Sequence, residues 1–140
     1  MTAVELPTIR TCSWRAYRRP MGLLVRITLG PPRFIHLPDE QWSSYNQLPY
    51  LAELAPRADY FRADDAEFDR RYVAQLGEHA DQIAAKLAAL PAENDAIVLA
   101  CFEQRVASGA DCHRRVFAEW ARERWGVEIE EMDPHPDGCR

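Results

Sequence analysis

Lysine is almost missing from this chain: Lys86 is the only one in 140 residues, and arginine supplies the other cationic side chains. Arginine forks match phosphate and carboxylate geometry better than general solubility requires. Glycine is scarce as well, and none of the six forms a phosphate-cradling loop or a dinucleotide fingerprint. The longest apolar run, Ala96 to Phe102, is far too short to cross a bilayer. No basic-then-apolar leader pattern opens the sequence, because Glu5 and Pro7 interrupt its first apolar residues. The expectation is a cytoplasmic protein with no membrane partner.

The four cysteines, Cys12, Cys101, Cys112 and Cys139, lack the spacing of a disulfide framework and are expected as thiols. No two of them lie two to four residues apart, which removes the usual zinc knuckles. Adjacent ligands such as Cys112 and His113 fit one tetrahedron poorly, so neither a metal nor a cofactor is expected. Tyrosine-phosphatase chemistry needs an arginine six residues after its cysteine, and those positions hold Ala107 and Ala118.

What is present suits a folded globule: 47% of the residues are hydrophobic and 28% charged. The length fits one domain, taken as residues 1–132, with a Pro- and Asp-rich tail over 133–140. Charge is unevenly spread. Residues 1–34 carry six arginines against Glu5 alone, so a net charge of -5 leaves -10 on the remainder. Those arginines either meet a phosphate-bearing partner or pair with the acidic part of the same molecule.

Periodicity gives the elements. Thr8 to Trp14 alternates and reads as a strand, Leu23 to Leu29 as a second, and Phe34 to Leu37 as a short third. Residues 38–62 hold no period and read as an irregular, partly buried connection with one helical turn. From Asp64 the stripe Phe68, Tyr72, Leu76, Ile83, Leu87 and Leu90 is helical, with acidic residues at its start and Pro91 at its end. The run at 96–102 reads as a strand buried on both faces. Asp111 is the expected cap of a last helix whose inner side is Val116, Phe117, Trp120 and Arg124, and Val127 to Glu130 alternates as a final strand. Strand, helices, strand, helix, strand in that order implies an α/β fold. We expect a small three-layer domain with a mainly parallel central sheet flanked by helices.

In such sheets ligands gather beyond the carboxyl ends of the strands. The buried strand delivers Cys101 and Glu103 to that edge, and the next helix starts there with Cys112, His113 and Arg114. Unpaired amide N–H groups of a helix's first turn favour a thiolate, and nearby cationic side chains act in the same direction. The expected roles are Cys112 as nucleophile or anion contact, His113 as proton carrier, Arg114 as anion clamp and Glu103 as base. Cys101, in an apolar run, reads first as an inert core thiol. A second candidate is the segment Ser13-Trp14-Arg15-Ala16-Tyr17-Arg18-Arg19, whose aromatics interleave with arginines and suit phosphate contact with base stacking; Ser13, Trp14, Arg15 and Arg26 are the expected substrate-binding residues. The plain alternative is a loop whose Trp14 and Tyr17 fold back onto the core.

Cys101-Phe102-Glu103, a polar loop, then Cys112-His113-Arg114 followed by Ala118-Glu119-Trp120 resembles the family DUF488, a bacterial and phage domain of unknown function. Val25 to Gly30 and Glu53-Leu54-Ala55-Pro56 are similar to one branch of it, so the resemblance spans most of residues 8–131. It implies a compact α/β domain, a bacterial or phage source and a cytosolic location, and it assigns no activity. The loop Gln104 to Asp111 is longer than in many relatives. The reading that follows is an enzyme acting on a nucleotide or a nucleic-acid component, with sulfur transfer as runner-up because the layout is broadly similar to rhodanese-like domains. The alternative is a non-catalytic module that binds nucleic acid or protein through the arginine-rich segment, its Cys-His-Arg cluster being structural.

Overall fold

The computed structural model describes residues 5–13, 17–27, 48–57, 59–60, 64–101 and 113–132. Four parallel strands form one sheet: β1 (Thr8–Ser13), β2 (Leu23–Arg26), β3 (Ala96–Cys101) and β4 (Glu130–Glu131), in spatial order β2-β3-β1-β4. Three helices accompany it: α1 (Asp65–Glu78), α2 (Ala80–Ala89) and α3 (His113–Trp125). The mainly parallel α/β sheet expected from the element order is therefore present.

β3 sits inside the sheet between β2 and β1, and Ala96 to Ala100 are wholly buried, which is why the sequence there is apolar without alternation. Alternation in the neighbours sorts two faces. Ile9, Val25, Ile97 and Leu99 meet Phe68, Tyr72, Ile83, Leu87 and Phe117 of the three helices. Cys12, Leu24, Val98 and Ala100 point the other way and meet Tyr17, with Met21, Leu48 and Met132 packed around them.

The two layers around the sheet follow from crossover handedness. The connections β2 to β3, through α1 and α2, and β3 to β4, through α3, run the same way along the sheet. The connection β1 to β2 runs the opposite way, so a right-handed crossover must use the opposite face. Tyr17 is buried there, and its hydroxyl donates to the Gly22 carbonyl at 2.8 Å. Gly22 closes this turn with φ of 138°, and a Cβ on it would lie 2.6 Å from the Ala96 carbonyl oxygen. Among the described residues, the helices thus cover one face and a compact turn the other.

Local chemistry sets the helix limits. Asp64 caps α1, its carboxylate accepting from the Glu67 amide at 2.9 Å. The helical stretch divides at His79, whose amide reaches back to the Gln75 and Leu76 carbonyls before α2 begins. Among its described residues, the irregular connection contains a 3-10 turn at Ala52–Leu54. Two details depart from the sequence reading. Arg124 is exposed rather than inward; Ala121 takes the inner position, and Arg124 stands in the last turn, where a cation suits the negative end of the helix dipole. The last strand pairs only at Glu130–Glu131, beyond most of the alternating stretch Val127 to Glu130. The strand anticipated at Phe34–Leu37, the cap Asp111 and the tail 133–140 lie outside the described residues.

Candidate functional site

β1 and β3 end side by side, with Ser13 in register with Cys101. The next described residues after them lie on opposite faces, Tyr17 on one and α3 on the other. Adjacent strand ends whose connections part in this way form the crevice at which open α/β sheets collect ligands. The helix-side residues of β1 grade toward that end, from apolar Ile9 to Thr11 and then Ser13, all buried.

α3 is held over this edge by its first two residues, which reach in different directions. His113 is buried, its Nε2 lies 2.8 Å from the Ile27 carbonyl just past β2, and its ring meets Tyr72 edge-on at 5.6 Å between centroids. A carbonyl only accepts, so Nε2 carries the proton in this contact. Arg114 is 0% exposed and turns toward the opposite edge of the sheet, at β4. Its Nε lies 3.0 and 3.2 Å from the two carboxylate oxygens of Glu131, and its Nη2 donates to Oε2 at 3.0 Å. Thr11 adds its hydroxyl to Glu131 Oε1 at 2.9 Å. Such a fork on a carboxylate is the strong, directional form of a charged hydrogen bond.

Next to this pair a groove of about 340 Å³ runs between α3 and β4, lined among others by Thr11, Arg115, Arg122, Glu128 and Glu131. On the far side of His113, a neutral network ties α1 to the Ala52–Leu54 turn. The Tyr72 hydroxyl donates to the Leu54 carbonyl at 2.6 Å, and Gln75 donates to the carbonyls of Glu53 and Ala55 while accepting from Tyr60. Burial pushes the Tyr72 phenol well above its ordinary value and raises that of Tyr60. Both are therefore hydrogen-bond donors at neutral pH.

Of the residues singled out from the sequence, Ser13 and the Cys101 position stand side by side at one end of the sheet, while His113 and Arg114 at the start of α3 bond to Ile27 and Glu131. Arg26 lies apart: it belongs to the β2 face that carries Leu24, and its guanidinium stacks 4.6 Å from the centre of the Tyr50 ring. Tyr17 folds back onto the core, as the plain reading of its segment had it, while Arg18 and Arg19 are exposed. Trp14, Arg15, Glu103 and Cys112 fall outside the described residues. Among the described residues no three His, Cys, Asp or Glu side chains gather as a metal-binding group, and no helix is long and apolar enough to cross a membrane.

Glu131 and Thr11 were not singled out from the sequence. One signal for a counter-ion was there: α3 opens with no acidic residue in its first turn, although Arg114 stands where the helix dipole repels a cation.

No curated protein and no solved structure matches the chain. Residues 35–121 match the family described as "Domain of unknown function DUF488", a span that holds α1, α2, β3 and the start of α3. With more than half of its length in that match, the chain belongs to the DUF488 family.

Proposed function

We propose that the chain is an enzyme acting on a phosphate-bearing nucleotide or nucleic-acid component in the crevice beyond the carboxyl ends of β1 and β3. The observation that carries this reading is the adjacency of Ser13 and Cys101 at two strand ends whose connections part, with the start of α3 braced over them. Cys112 immediately precedes α3 in sequence and is the group assigned to touch substrate, as nucleophile or anion contact. Glu103 follows β3 by two residues and is assigned as base; Ser13, Trp14 and Arg15 are assigned to substrate binding. His113 and Arg114 are buried against Ile27 and Glu131, which supports for them the role of holding the helix start rather than a direct clamp.

The test is alkylation of Cys112 followed against pH, with Cys112→Ser as the control for the other thiols. An apparent pKa well below the free-thiol value of about 8.5 is expected. A titration at that ordinary value sinks the activated-thiolate reading.

The inward, scaffold-bound geometry of His113 and Arg114 also favours a second reading, a non-catalytic module in which this cluster is structural. It predicts an oligonucleotide affinity that weakens steeply with salt and is abolished by replacing Arg18 and Arg19, both exposed. Absence of binding at about 50 mM salt removes it.

A further inference from the structure

We propose that the groove between the Ala52–Leu54 turn and the α1–α2 junction binds a small carboxylate with a flat apolar body, its head held by Arg57 and His79. None of the groove's lining residues belongs to the strand-end crevice, so the two sites are tested separately.

The groove holds about 260 Å³. That exceeds the roughly 150 Å³ that accommodates a benzene ring and falls just below the range of about 300–1,000 Å³ usual for larger ligands. Its apolar lining is Tyr50, Ala52 and Ala55, with Tyr50 39% exposed. The walls are fixed by contacts of the chain itself. Buried Gln75 donates to the Glu53 and Ala55 carbonyls, the Tyr72 hydroxyl donates to the Leu54 carbonyl, and Lys86 holds the Glu53 carboxylate at 2.6 Å. A preformed cleft loses little freedom on binding.

The polar lining supplies the chemistry for a head group. Arg57 Nη2 lies 3.4 Å from His79 Nε2, and His79 Nδ1 lies 3.0 Å from Gln82 Oε1. A guanidinium only donates, so Nε2 accepts and the ring proton sits on Nδ1, facing the Gln82 oxygen. The imidazole is neutral in this contact. A carboxylate seated between the two side chains reverses it: Nε2 takes up one proton from solvent and donates to one oxygen, while Arg57 donates to the other. Arg57 can turn to it because its pairing with Glu78, at 3.2 Å, joins exposed side chains and is worth little. Among the described residues, the other charged groups around the ring are Glu53 and Lys86, which bind each other, and Asp81 in the first turn of α2. Glu53 and Glu78 disfavour a dianion such as a phosphate monoester, which leaves a carboxylate as the fitting head.

The experiment is titration of the full chain with benzoate, acetate and benzyl alcohol, followed by backbone amide shifts. Benzoate is expected to saturate with a Kd of about 0.1–1 mM, the other two being at least about tenfold weaker. The moving amides should lie in the turn and at the α1–α2 junction. Acetate or benzyl alcohol binding as well as benzoate overturns the proposal, and so does benzoate that fails to saturate by about 10 mM.

Two variants test the head group, and both alter side chains at least partly open to solvent. Arg57→Gln should weaken benzoate at least about tenfold, and an unchanged Kd overturns the proposal. Wild-type affinity should rise about tenfold from about pH 8 to about pH 6, where an imidazole changes charge, and should stay level in His79→Gln. That glutamine keeps a hydrogen-bonding amide but takes up no proton. A level wild-type profile, or a His79→Gln profile as steep as the wild-type one, overturns the proposal.

Discussion

Two buried polar regions flank His113, and they are built differently. Toward α1, Tyr72, Gln75 and Tyr60 form a neutral network that ends on backbone carbonyls. Toward β4, Arg114, Glu131 and Thr11 form a charged one that joins side chains 17 and 120 residues apart in sequence. A neutral network asks little beyond satisfied donors, so it suits a junction whose task is rigidity. A buried ion pair carries a large desolvation cost and can often be replaced by apolar residues without loss of stability. The charged brace stands at the strand ends where a ligand crevice is expected, while the neutral one stands behind it. Under the proposed function, the buried charge serves the site rather than the stability of the fold.

The comparison is easiest to break at Glu131. Glu131→Ala removes the forked carboxylate from the buried guanidinium and should lower stability by up to about 3–5 kcal/mol in urea unfolding. Arg114→Met combined with Glu131→Met should recover most of that loss. If the double variant is as unstable as the single one, the pair is a stability element after all and the contrast fails.

The neutral network should respond less. Tyr72→Phe leaves the Leu54 carbonyl without its hydroxyl donor and should cost about 1–3 kcal/mol. It also has a pH signature. Burial raises the folded-state value of Tyr72, so the unfolded chain loses its phenolic proton first as pH rises. The associated stability is intact below the ordinary value of 10.0 and declines above it. Wild-type protein should therefore lose stability more steeply above about pH 10 than Tyr72→Phe does, as read from urea midpoints across that range.

The smallest effect belongs to the surface. Lys86 reaches Glu53 at 2.6 Å, but its side chain is 52% exposed, so Lys86→Ala should cost no more than about 1 kcal/mol. Burial pushes the Glu53 carboxyl up, while the Lys86 hydrogen bond and charge pull it further down, and the net shift is downward. A lowered carboxyl adds stability above its unfolded value of 4.5 that is lost as pH falls through the folded one. Lys86→Ala should flatten that acid limb, and high salt should do the same in the wild-type chain.

Much of the scaffold was legible in the residues. Ala96 to Cys101 had to be an interior strand because it is apolar on both faces, Asp64 had to cap because its carboxylate stands three residues before an orphan amide, and the Phe68–Tyr72–Leu76 spacing had to face inward. The candidate site was legible only as a location. Local pattern brings Cys101, His113 and Arg114 to one strand edge, but nothing local tells which of their atoms the scaffold already occupies. Gln75, one step from Leu76 on an otherwise apolar inner face, was the available hint of the neutral network.

The sequence by itself determined the elements, their order and hence the parallel sheet, because hydrophobic period, caps and crossover handedness act over short stretches of chain. Only the tertiary structure decided that the basic turn covers the far face, that Arg26 turns to Tyr50, and that Arg114 is held by Glu131 and Thr11. Those outcomes depend on which distant groups are brought within about 3 Å of each other. A hydrogen bond or ion pair of that range leaves no periodic trace in the chain that makes it.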